Sequence, residues 1–125
     1  MASSPNFSMP LKDSLKSTTS GLQYEVVKEG TGKAPKSTDT VTVHYAGWLT
    51  NGTAFDSSYK RGAPASFPLN RVIAGWTEGL QLMKEGGTAK FVIPPQLGYG
   101  ARGSPPVIGP NATLVFQVDL IKVGS

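Results

Sequence analysis

Few side chains in this sequence belong to the types that make or break bonds. There is no cysteine and one histidine, His44. Disulfides, thiolate metal sites and a cysteine nucleophile are therefore excluded. A zinc site needs two or more His or Cys ligands, or an unusual all-carboxylate set, so neither metal nor cofactor is expected. As a general base, His44 would need an orienting partner. It sits on the strand face opposite Val43 and Tyr45, with no Ser or Asp at a recognisable spacing, and is read as a solvent-facing strand histidine. Gly98-x-Gly100-x-x-Gly103 follows a strand, and Asp119 lies about 20 residues further on, as in a dinucleotide fingerprint. The fingerprint works only where the glycines open a helix that meets the pyrophosphate. Pro94-Pro95 separates these glycines from the strand and Pro105-Pro106 breaks any helix after them, so the match is rejected. Asn6-Phe7-Ser8, Asn51-Gly52-Thr53 and Asn111-Ala112-Thr113 have the form of glycosylation acceptors; with no secretory signal visible they read as an arm, a turn and a loop end. A nucleophile elbow, an acidic dyad and a phosphate loop are all missing from the sequence.

What remains is apolar. Tyr45, Phe55, Phe67, Val72, Ile73, Trp76, Tyr99, Val107, Ile108 and Phe116 come from at least five segments and stand next to loops. Part of this set belongs to an ordinary core. Tyr99, however, lies between two loop glycines, and Val107 and Ile108 lie beyond Pro105-Pro106. Loops seldom carry such residues only to bury them. An apolar hollow with a few polar groups is the usual form of a binding site. Asp56, directly after Phe55, is either a plain turn aspartate or a group that orients a ligand or a neighbouring hydroxyl.

The elements that must position these residues are mostly strands. The 125 residues suit one domain. Glycine (15) and proline (10) make up a fifth of the chain, which points to strands and turns. Residues 1–20 are rich in Ser, Thr and Pro and read as a flexible arm, with the domain running from 21 to 125. Alternation of apolar and polar residues predicts strands at 22–27, 40–49, 89–93 and 114–121. Asn51-Gly52 predicts a tight hairpin whose return strand is 53–56. Residues 57–64 read as a polar loop, 66–69 as a short edge segment, and 94–111 as a long loop. Trp76, Leu80 and Met83 fall on one face of a short helix that Gly86-Gly87 ends. The predicted class is α+β: a curved antiparallel β-sheet, a half-barrel of five to six strands, wrapped around one short α-helix.

Twelve Lys+Arg against eight Asp+Glu give a formal charge of +4. The basic residues are dispersed and only Lys60-Arg61 adjoin, so the charge reads as a solvated surface and no nucleic-acid partner is expected. No apolar run reaches the roughly 18 residues of a membrane span. With no visible signal peptide the expected compartment is the cytoplasm, or the periplasm or exterior if a leader has been removed.

With the pocket residues in view, the chain resembles the FKBP-type peptidyl-prolyl cis-trans isomerases, which bind tacrolimus and rapamycin. The resemblance is carried by Val41-Thr42-Val43-His44-Tyr45-Ala46-Gly47, Phe55-Asp56-Ser57-Ser58, Val72-Ile73-Ala74-Gly75-Trp76, Tyr99-Gly100-Ala101-Arg102-Gly103 and Ala112-Thr113-Leu114-Val115-Phe116. It covers about residues 21–123 in order. Pro64-Ala65-Ser66-Phe67-Pro68-Leu69 and Gly75-Trp76-Thr77-Glu78-Gly79-Leu80-Gln81-Leu82-Met83 look nearer to the bacterial macrophage-infectivity-potentiator-like (Mip-like) branch.

The resemblance implies a pocket lined by Tyr45, Phe55, Asp56, Val72, Ile73, Trp76, Tyr99, Ile108 and Phe116, with Phe67 and Val107 beside it and Trp76 as its floor. Arg61 falls where the family has an arginine near the aspartate. The implied catalytic set is Asp56, Tyr99, Ile73 and Trp76: the Ile73 backbone N–H and the Tyr99 hydroxyl bind carbonyls, while Asp56 acts electrostatically. Ala65 stands where human-type members carry an aromatic, Ser104 where some carry histidine, and the 67–72 segment is shorter. These departures bear on rim contacts, sequence preference and inhibitor affinity. The implied activity is X-Pro isomerisation in protein folding, on peptides and on unfolded or partly folded proteins. Longer members of the branch carry an N-terminal helical dimerisation region; none is present in this sequence, and a monomer is expected. Two other readings stand beside it: a non-catalytic module that binds proline segments or acts as a chaperone, and a nucleic-acid-binding β-domain, against which the dispersed charges argue.

Overall fold

A computed structural model describes residues 15–103 and 108–124. Seven strands form one antiparallel sheet: β1 (Lys16–Ser17), β2 (Gln23–Lys28), β3 (Thr40–Leu49), β4 (Ala54–Ser57), β5 (Ala65–Pro68), β6 (Thr88–Ile93) and β7 (Leu114–Val123). Their order is β1-β2-β6-β7-β3-β4, with β5 also paired to β3. Helix α1 spans Ser58–Arg61 and α2 spans Ala74–Leu80.

Alternation along the strands sorts the side chains. On β3, Val41, Val43 and Tyr45 point inward with Ala89, Phe91 and Ile93 of β6 and Phe116, Val118 and Leu120 of β7. Trp76, Leu80 and Met83, from α2 and the turn after it, complete this core. The helix lies close to β6 because it carries glycine where it touches: a Cβ on Gly79 would sit 2.7 Å from Phe91. A second, smaller cluster (Ala46, Trp48, Tyr59 and Val115) buries the other face of β3 and β7.

The strand pattern follows the sequence closely, and the departures have local causes. The sheet begins before residue 21: Lys16 and Ser17, in the stretch read as an arm, pair with Tyr24 and Gln23. Its first 14 residues lie outside the described range, as do Ser104 and Val107. At Asn51-Gly52 only Gly52 adopts a positive φ (91°); Asn51 instead accepts the Thr53 N–H through its side chain, so the hairpin is a four-residue connection. The expected polar loop at 57–64 contains α1, because Ser57 caps the turn through its side chain and Gly62 takes the left-handed cap position. Helix α2 ends at Leu80, well before Gly86-Gly87; the Leu82 and Met83 amides donate to Gly79 and Leu80, tightening the last turn while keeping Met83 buried. The stretch 94–111 also holds a 3₁₀ turn at Pro95–Leu97, and Ile108 returns to the core at 5% exposure.

Candidate functional site

The site is built on β3, where Tyr45 is the last inward residue before Gly47. A Cβ on Gly47 would lie 2.6 Å from the Phe55 ring and 2.7 Å from the Phe116 ring, so its hydrogen is what lets those two rings meet. They do so edge-to-face at 5.4 Å. Trp76 projects from the first turn of α2 and meets three rings nearly perpendicularly: Tyr45 at 5.1 Å, Phe116 at 5.3 Å and Phe67 at 5.8 Å. Such geometry aligns a ring edge with a ring face and favours each pair beyond simple burial. Tyr45, Trp76 and Phe116 are buried, whereas Phe55 and Phe67 are only partly so and pack against the core from outside. Val72 and Ile73 join them there, and Ile108 is in the core itself.

A polar triangle borders these rings. The Tyr45 hydroxyl donates to Asp56 Oδ2 at 2.5 Å. Arg61 spans the other two sides, with Nη1 donating to Asp56 Oδ1 (2.5 Å) and Nη2 to the Tyr45 hydroxyl oxygen (3.1 Å). The Ser57 amide donates to the same Oδ1 at 2.9 Å. Burial pushes the Asp56 carboxyl up, but the hydrogen bonds from Tyr45 and Arg61 and the Arg61 charge outweigh it, leaving the group below the ordinary 3.8. Burial, and then the bond to Asp56, push the Tyr45 phenol above its ordinary 10.0. At neutral pH the triangle is thus a carboxylate, a guanidinium and a neutral phenol. The Arg61 and Asp56 side chains are 50% and 40% exposed, so the pair contributes organisation more than stability.

Of the residues singled out in the sequence, Tyr45, Phe55, Asp56, Arg61, Phe67, Trp76 and Phe116 are thus in one connected group. Ile73 caps α2, and its carbonyl accepts from Trp76 and Thr77. Its own N–H carries no hydrogen bond among the described residues, which leaves a donor at the edge of the ring cluster. Tyr99 is 39% exposed, on the stretch after β6, and Val107 lies outside the described residues. Among the described residues no group of three or more His, Cys, Asp or Glu is placed to hold a metal ion, and no helix is long and apolar enough to cross a membrane.

His44 differs from its expected place in solvent. It is half-buried, stacks on Tyr59 at 4.7 Å, and its Nδ1 lies 2.9 Å from Ser58 Oγ. The Tyr59 hydroxyl donates to Asp119, which also accepts from Thr88 at 2.6 Å. Sequence reasoning missed this group behind the site. Ser57 and Gly62, which cap the turn that carries Tyr59, were a usable signal for α1, but nothing local links Tyr59 to Asp119, 60 residues away.

Residues 31–121 match the family described as FKBP-type peptidyl-prolyl cis-trans isomerase. A probable FKBP-type peptidyl-prolyl cis-trans isomerase FkpA of Neisseria meningitidis is 57% identical over 114 residues, covering 91% of this chain and 42% of that protein. The peptidyl-prolyl cis-trans isomerase Mip of Coxiella burnetii is 54% identical over 112 residues, covering 90% of this chain and 49% of that protein. The crystal structure of FkpA from Escherichia coli superposes with a TM-score of 0.87 at 53% identity, over 90% of this chain and 53% of that one. The chain spans less than half the length of these two curated relatives.

Proposed function

The chain belongs to the FKBP-type peptidyl-prolyl cis-trans isomerase family, and we propose that its ring cluster catalyses rotation about X-Pro bonds in peptides and in unfolded or partly folded proteins. The observation that carries the proposal is the joining of the Tyr45, Phe55, Phe67, Trp76 and Phe116 rings to Asp56 through the Tyr45 hydroxyl.

The chemistry fits residues that break no bond. The barrier to X-Pro rotation is about 18 to 20 kcal/mol and comes from amide resonance. Resonance places negative charge on the carbonyl oxygen, and water stabilises that planar form. Twisting the bond removes the resonance and makes the oxygen less polar. A wall of aromatic edges excludes water and so disfavours the planar state relative to the twisted one. In this account the proline ring rests on Trp76, and the Ile73 N–H and the Tyr99 hydroxyl hold the flanking carbonyls. The Asp56 carboxylate biases the twisted carbonyl through its field. Lowering the barrier by about 5 kcal/mol gives roughly 10³ to 10⁴ in rate.

The test is a protease-free isomerisation assay on Leu-Pro and Phe-Pro peptides, with and without rapamycin. The expected result is catalysed exchange, abolished by the macrolide, which would occupy the same rings. Binding of the peptides without acceleration would instead favour a proline-segment binding module. Exchange at the uncatalysed rate with no binding would refute both. Tyr99→Phe is expected to weaken peptide or macrolide binding by about 5- to 10-fold, the worth of one hydrogen bond. Calorimetry that finds unchanged affinity removes the hydroxyl from the donor set.

A further inference from the structure

Strand β3 carries Tyr45 between two different partners on one edge. On that edge β4 pairs with it at Ala46↔Ser57 and Gly47↔Asp56, and β5 at positions 40–43, ending with Val43↔Ala65. The opposite edge is taken by β7, where Tyr45 faces Val118. Between β4 and β5 the chain turns away into α1, so among the described residues no strand backbone pairs with the Tyr45 peptide from this side. The Ser58 side chain reaches it instead. Its Oγ accepts the Tyr45 N–H at 2.7 Å and donates to the Tyr45 carbonyl at 3.2 Å. A hydroxyl has one proton and two lone pairs. It can make these two bonds and the 2.9 Å contact to His44 at once when the proton sits on His44 Nδ1 and is donated to the serine. Ser58 is fully buried and engaged, which also removes it as a nucleophile despite its histidine neighbour.

We propose that Ser58 is a positioning residue for the polar triangle: its hydroxyl replaces the missing strand and fixes the distance between Tyr45 on β3 and the segment that carries Asp56 and Arg61. Asp56 lies two residues before Ser58 and Arg61 three after, so one contact sets both remaining corners against the first. Tyr59, stacked on His44 and bonded to Asp119, holds the same one-turn helix from behind. Without the hydroxyl, the Tyr45 N–H and carbonyl lose their partner on this edge. The strand then shifts relative to α1, and the Tyr45 bond to Asp56 loosens. Fold and rings remain, but the carboxylate no longer points at a fixed place.

The inference rests on the isomerase reading, and a double-mutant cycle of Ser58→Ala with Asp56→Ala in the full chain tests it. Ser58→Ala is expected to lower kcat/KM on a Phe-Pro peptide by about tenfold, mainly through kcat, and by less than about twofold when Asp56 is already alanine. Equal losses in both backgrounds, or full turnover in Ser58→Ala, overturn it. A second readout is independent of catalysis: NMR titration of the Tyr45 ring is expected to move down towards ordinary tyrosine in Ser58→Ala, and an unmoved midpoint overturns the positioning role. No turnover by the parent chain would fail the isomerase reading alone, leaving the titration to decide on Ser58. Should Ser58→Ala not fold, Ser58→Cys, which leaves no cavity and is a weaker donor and acceptor, carries the same cycle and titration.

Discussion

Replacing Asp56 by alanine is expected to lower kcat/KM for a Phe-Pro peptide by about 10- to 100-fold while shifting stability by less than about 1 kcal/mol. The two effects separate because of where the carboxylate sits. Its side chain is 40% exposed, so losing its bond with Arg61 costs the fold little. Yet it is held at two oxygens by Tyr45, Arg61 and the Ser57 amide, which aims its charge in a fixed direction beside the rings. A field fixed in advance acts on the transition state without reorganisation. The pH dependence has a definite sign. The folded carboxyl lies below 3.8, so its contribution to stability is complete above that value and fades as pH falls through the lower folded value. Mildly acidic solution therefore leaves the triangle intact. Turnover and urea denaturation of Asp56→Ala beside the parent chain check both halves; a large stability loss with proportionate activity loss would make the residue structural.

Trp76→Ala combines the two losses. The indole is 4% exposed and is both a member of the core and the ring that three other rings touch. Its removal is expected to cost about 3 to 5 kcal/mol, enough to unfold much of a marginally stable domain. Trp76→Phe isolates the catalytic part: it keeps an apolar ring, and its stability cost is expected to be below about 2 kcal/mol. Turnover should nonetheless fall several-fold, because a smaller ring leaves a gap under the proline. Denaturant midpoints measured with kcat/KM for both variants decide this. Full turnover in Trp76→Phe would mean that any apolar floor suffices, and full turnover in a folded Trp76→Ala would remove the floor from the mechanism.

The strands were legible because half-buried strands write their faces into alternation, and β3 occupies the ten residues its pattern predicts. The ring cluster was legible for a different reason: aromatic residues beside loops stood out once nucleophiles and metal ligands had been excluded. Other features were not. Helix α1 is a single turn, too short for any apolar period, and only its caps mark it. The placing of His44 depends on that turn, since Ser58 and Tyr59 cover what would otherwise be an open strand face. Contacts such as Tyr59 with Asp119 join segments far apart in sequence and leave no local trace. The end of α2 was overestimated because Met83 stays buried after the helix has tightened into a turn.

The central claim is that solvent exclusion and a fixed field speed the rotation, with no proton or covalent bond passing between protein and peptide. The most direct test measures kcat/KM for a Phe-Pro peptide by NMR exchange in H₂O and in D₂O, across about pH 5 to about pH 8. The account predicts a solvent isotope effect near unity and a flat profile, because Asp56 remains ionised and Tyr45 neutral throughout that range. A normal isotope effect of about 2 or more would place a proton transfer in the rate-limiting step, and a bell-shaped profile would reveal an essential acid and base; either contradicts it.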